Sequence, residues 1–131
     1  MPGWGTGSFE NEDAQNFLKR LSSLAIEDLT EILSRTADEK DYVEASDSGI
    51  AVVVAEIVAT AKGIPSSIVP TEISDWLRKI EGTPSSGVSD LARRAVHKVR
   101  TSSELKDLWL EAGGLNEWSA GLRDLEHRLA R

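Results

Sequence analysis

The segment between Asp47 and Lys62 constrains this chain more than any other. Ile50, Ala51, Val52, Val53, Val54, Ala55, Ile57, Val58, Ala59 and Ala61 leave almost no polar face, and Glu56 is the lone charge among them. The β-branched side chains favour a strand. The length, about sixteen residues against five or six for a typical strand, favours a helix. So do the alanines, which are strong helix formers, and Gly63 followed by Pro65, which is a helix stop. We read a helix. A helix that is apolar all round must be buried, so the rest of the chain has to surround it. The apolar run Ile50–Ala61, about twelve residues, falls short of the roughly twenty that cross a bilayer. No membrane association is expected.

Six further segments have the spacing of amphipathic helices. The first runs from about Glu12 to Ser22, with Ala14, Phe17, Leu18 and Leu21 on one stripe. Asn11 suits its N-cap, and Glu12 and Asp13 complement the positive end of its dipole. The second runs from about Ile26 to Ala37, with Ile26, Leu29, Ile32, Leu33 and Thr36 inward. The fourth covers about Glu72–Glu81, capped by Thr71 and stopped by Gly82 and Pro84. The fifth covers about Ser86–Thr101, striped by Val88, Leu91, Ala92, Ala95, Val96 and Val99. The sixth covers about Ser103–Ala112, with Thr101 and Glu104 at capping-box spacing. The last opens at Asn116 and runs to about Ala130. Trp76, Trp109 and Trp118 fall on inward stripes and should supply most of the aromatic mass of the core. No period-2 strand competes. The expected fold is all-α: one compact irregular bundle of six or seven short helices over residues 1–131, with the Gly/Trp loop of residues 1–10 packed on it. Residues 82–87 read as the best candidate for a flexible joint. A split there would leave a piece too short to fold comfortably alone.

Composition removes several kinds of chemistry. The 131 residues include no cysteine, so disulfides, thiol nucleophiles and thiolate metal sites are excluded. With two histidines, His97 and His127, a three-histidine zinc site is impossible, and no H-E-x-x-H, Walker or nucleophile-elbow motif occurs. No cofactor or metal is expected. The opening residues lack a basic region followed by an apolar one, so the chain reads as cytoplasmic.

The net charge of −7 argues against a nucleic-acid binder, and it is unevenly placed. Residues 1–50 hold eleven acids and four bases, whereas the remainder is balanced. Glu27, Asp28, Glu31, Asp38, Glu39 and Asp41 dominate the excess. They form either a solvated face or a docking surface for a basic protein. On the fifth helix, Arg93, Arg94, His97, Lys98 and Arg100 form an opposing basic face, and no carboxylate lies four residues from His97.

The opening is the least ordinary stretch: Gly3-Trp4-Gly5-Thr6-Gly7-Ser8-Phe9-Glu10-Asn11-Glu12-Asp13-Ala14. Glycines permit tight turns and close backbone approach, and Trp4 and Phe9 can anchor the loop. It resembles a bacterial domain-of-unknown-function family whose members begin W-G-x-G-x-F-x-N-D-x-A, matched at Trp4, Gly5, Gly7, Phe9, Asn11, Asp13 and Ala14. Glu12 departs from the family's Asp. The Tyr42-Val43-Glu44 loop, the alanine-rich helix ending near Gly63-Ile64-Pro65, and Ser103-Glu104-Leu105 leading to Trp109 extend the resemblance. It implies a small helical domain and no particular activity.

Two functions fit these observations. The first is a non-enzymatic acidic interaction module that binds or neutralises a basic protein partner. The second is a small-molecule-binding protein or enzyme, with Trp4, Asn11 and Asp13 lining a site beside the Gly/Trp loop. The competing structural reading makes Trp4 and Phe9 core anchors and Asn11 a cap.

Overall fold

A computed structural model describes residues 3–80 and 84–131. Glu81, and with it the expected end of the fourth helix, lies outside the described residues, as do Met1, Pro2 and the Gly82-Thr83 part of the joint. Among the described residues there are seven α-helices: α1 (Glu12–Arg20), α2 (Ile26–Ala37), α3 (Ala45–Ala61), α4 (Thr71–Lys79), α5 (Ser86–Thr101), α6 (Glu104–Ala112) and α7 (Leu115–Ala130). A 3-10 turn, Leu21–Ser23, follows α1. The described residues form no strand, only an isolated bridge between Val43 and Ser103.

The apolar segment is helical and central. Every residue from Ser48 to Ala59 is buried except Ile50, which is partly buried. α3 is wrapped by α1, α2, α5, α6 and α7. Burying a Val or Ile side chain is worth about 1.5–3 kcal/mol, so this one helix organises the core. α5 packs against α2, α3 and α7 through Ala92, Ala95, Val96 and Val99, each with no exposed surface. Trp76, Trp109 and Trp118 are all buried, and the Trp76 indole donates to the Leu24 carbonyl at 2.9 Å.

Helix starts depart from the sequence pattern where neighbours supply the capping. α3 begins at Ala45, two residues before Asp47, because the Ala45 amide is taken by the Glu104 carboxylate at 2.8 Å. Glu104 therefore caps a different helix from its own. The cap of α6 is Ser103, not Thr101: its hydroxyl accepts from the Lys106 amide at 3.1 Å and donates to the Val99 carbonyl at 2.6 Å. Thr71 is the first helical residue of α4 after Pro70, and α7 starts at Leu115 after Gly114. Gly113 ends α6 at φ 87°, a conformation that glycine adopts without strain.

The N-terminal loop curls around Glu10. Its carboxylate accepts from the Gly7 amide at 3.0 Å, and the Trp4 amide donates to the Glu10 carbonyl at 3.1 Å. A Cβ on Gly3 would stand 2.5 Å from that carbonyl oxygen, and one on Gly5 would meet the carboxylate itself. The loop is tied down by Phe9, packed on the core, and by Ser8, whose hydroxyl donates to Glu56 at 2.6 Å. Trp4 is no anchor: it is 62% exposed.

Candidate functional site

The residues expected to form a ligand site at the loop do not converge on an open pocket. The Asn11 side chain accepts from the Ala14 amide at 2.8 Å and so caps α1. Asp13 lies half-buried in the first turn of α1, against Gly49 of α3. The cavity beside Asn11 is walled by the glycine loop, Val52, Leu105, Trp109 and Trp118 and holds about 20 Å³. That is room for roughly one water molecule. Trp4 lies outside it.

The acidic residues divide into two groups. Glu27, Asp28 and Glu31 are exposed on the first half of α2, and Asp28 accepts from the Ala25 amide at 2.8 Å. Asp38 lies at the other end of that helix, about 16 Å away at 1.5 Å per residue. It faces Arg94 at 3.7 Å and accepts from the Ser34 hydroxyl. Glu39 and Asp41 enter a groove between the end of α1, the α2–α3 loop and the start of α3. Arg20, Ile32, Arg35, Thr36, Tyr42, Val43, Glu44, Asp47 and Ile50 complete its walls, and its volume is about 430 Å³. Four carboxylates from the loop and α3 thus meet two guanidiniums from α1 and α2, over a floor of Ile32, Val43 and Ile50. Arg20 and Arg35 do not stand out in the sequence as site residues, and Glu44 and Asp47 do so only as members of the acidic stretch that ends at Asp47, because only the fold brings α1 against the start of α3.

The α2–α3 loop is firmly placed. The Val43 amide donates to the Ser102 carbonyl at 3.2 Å, and the Glu104 amide donates to the Val43 carbonyl at 2.8 Å. Half-exposed Tyr42 donates to the Asp107 carboxylate at 3.0 Å. That hydrogen bond raises its pKa above the ordinary 10.0, with partial desolvation and the charges of Asp107, Glu104 and Glu111 adding to it.

A second polar cluster lies inside the bundle. Arg128 of α7 forms a fork with Glu56 of α3, at 2.9 and 3.2 Å. The same guanidinium reaches Asp124 at 2.8 Å and the Ile64 carbonyl at 3.3 Å. Burial lowers the Arg128 pKa, but the carboxylates of Glu56 and Asp124 outweigh it, so the group is held above its ordinary value and stays charged. No buried side-chain polar atom lacks a partner among the described residues. His97 does meet a carboxylate, but across helices: its ring lies 3.3 Å from Glu126, which Arg100 holds at 2.5 Å. Among the described residues no group of three or more His, Asp or Glu is placed to hold a metal, and no helix is long and apolar enough to cross a membrane.

A family model described as a domain of unknown function, DUF4259, matches residues 3–121. The chain belongs to this family. The part matched to DUF4259 runs from the glycine loop into α7, so it takes in the α2–α3 groove and Glu56. No curated protein and no solved structure matches the chain.

Proposed function

We propose that this DUF4259 protein is a non-enzymatic interaction module that binds a basic segment of a partner protein in the α2–α3 groove. The observation that carries this reading is the gathering of Glu39, Asp41, Glu44 and Asp47 around one cleft with Tyr42 at its edge. Four carboxylates outnumber Arg20 and Arg35, so the groove has a negative surplus that favours a Lys or Arg side chain. Tyrosine is enriched where proteins meet, because it offers a large contact area and a polar end. The rigid loop presents these groups without an ordering cost at binding. The surrounding negative charge of the first fifty residues speeds and steers the encounter.

The test is affinity capture from the native host with wild-type protein and the E39K/D41K variant. Wild type should retain a basic partner at moderate salt and release it near 1 M, where the Debye length falls to about 3 Å. E39K/D41K should lose it, and E27K, at the far end of α2, should keep it. An acidic partner, retention unchanged in 1 M salt, or equal capture by E39K/D41K would overturn the reading.

A further inference from the structure

The opposite charge gathers in a second groove, where α5, α6 and α7 meet. Arg100 and Thr101 at the end of α5, Lys106 of α6, and Leu115, Asn116, Ser119 and Arg123 of α7 enclose about 420 Å³. Its walls hold three cations and no carboxylate, in a chain whose net charge is −7. Glu126, outside the lining, is bound by the Nε of Arg100 at 2.5 Å and by its Nη2 at 3.3 Å. That pairing, with His97 Nδ1 3.1 Å from the same Nη2, fixes the guanidinium at the groove wall and offsets its charge, so Lys106 and Arg123 carry the positive surplus. Lys106 reaches back to the Thr101 carbonyl at 3.4 Å, which offsets the negative end of α5 and leaves its other two N–H donors free. Arg123 is exposed and forms no ion pair among the described residues. Asn116, Ser119 and Arg123 repeat at i, i+3 and i+7 and so share one face of α7.

We propose that this groove binds a phosphomonoester dianion carried on a ligand about the size of a nucleotide. The Arg123 guanidinium can match the oxygens of a phosphate with paired donors, and Lys106 adds a compact point charge. Thr101, Ser119 and Asn116 supply neutral donors for the remaining oxygens. The volume lies within the range of small-ligand pockets, about 300–1,000 Å³, and exceeds what a bare phosphate would fill. The cations alone define the site, and the positive end of α7 adds to their field. The groove shares no residue with the α2–α3 cleft, so either site can exist without the other.

Amide NMR titration of the full chain with inorganic phosphate, adenosine monophosphate and adenosine, at constant ionic strength, tests this. Adenosine monophosphate should give saturating shifts centred on Thr101, Lys106, Asn116 and Ser119, bind more tightly than phosphate, and be matched by no saturating response to adenosine. The K106A/R123A variant should bind at least about tenfold more weakly, since each charge-assisted hydrogen bond is worth about 1.5–3 kcal/mol. The exposed K19E variant, which changes the net charge by the same amount, should titrate like wild type. Shifts that rise linearly, saturation with adenosine, a response to phosphate alone, or unweakened binding by K106A/R123A would each overturn the proposal.

Discussion

Replacing Arg128 with methionine should destabilise the protein more than any surface change of similar size. The Glu56 side chain is 4% exposed and that of Arg128 is 9% exposed. Removing the guanidinium leaves a buried carboxylate with only the Ser8 hydroxyl to stabilise it. Breaking one side of such a pair costs about 3–5 kcal/mol. A domain of this size has roughly 5–15 kcal/mol in total, and each kcal/mol moves the melting temperature by roughly 3–6 °C. R128M should therefore melt roughly 10–30 °C below wild type. E56Q should cost less, about 1–3 kcal/mol, because the guanidinium keeps Asp124 and the Ile64 carbonyl. The apolar pair E56L/R128M should recover most of the loss, since a packed hydrophobic replacement for a buried ion pair is often neutral. Urea and thermal unfolding followed by circular dichroism, arranged as a double-mutant cycle, measure all three. A cost below about 1 kcal/mol for R128M, or a double variant as unstable as the sum of the singles, would refute this account of the pair.

Asn11→Ala should lower stability by about 1 kcal/mol through loss of the α1 cap, measured by urea unfolding. Gly114→Ala should cost about 1–3 kcal/mol, because its Cβ would stand 2.7 Å from the buried Trp109 ring. Thermal melting and a changed near-ultraviolet spectrum would report it. Tyr42, the only tyrosine, should titrate above 10.0 when its absorbance near 295 nm is followed, and D107N should bring the midpoint back down. The sign follows from the raised pKa. The stability contributed by this hydrogen bond is complete below the unfolded tyrosine value and is lost as pH rises through the folded one.

Much of this fold could be read locally. The stripes of α1, α2, α4, α5, α6 and α7 and the burial of α3 follow from residue spacing, and Asn11 caps α1 as its position suggests. What the pattern missed is what depends on distant neighbours. Glu56 stood out as a lone charge in an apolar helix, but its partner is 72 residues away. The early start of α3 depends on Glu104, 59 residues on. His97 has no carboxylate on its own helix, and Glu126 reaches it from α7. Trp4 sits in a loop, where no periodicity indicates which way a side chain turns. The acidic segment reads as continuous in sequence, yet the length of α2 carries Glu27 and Asp28 away from the groove, and Glu31 is not among its walls.

The clasp around Glu56 has a bearing on how the protein is made. Ser8, Glu56 and Arg128 come from the first loop, the central helix and the last helix. At about 5–20 residues per second, a ribosome needs roughly 4–14 s to travel from the codon for Glu56 to that for Arg128. During that interval the central helix carries a carboxylate without its counter-ion, and closing the nascent core over it costs about 3–5 kcal/mol. The contacts of α7 with α3 and α5 come last of all, so the charge that completes the clasp belongs to the last part of the chain to be made.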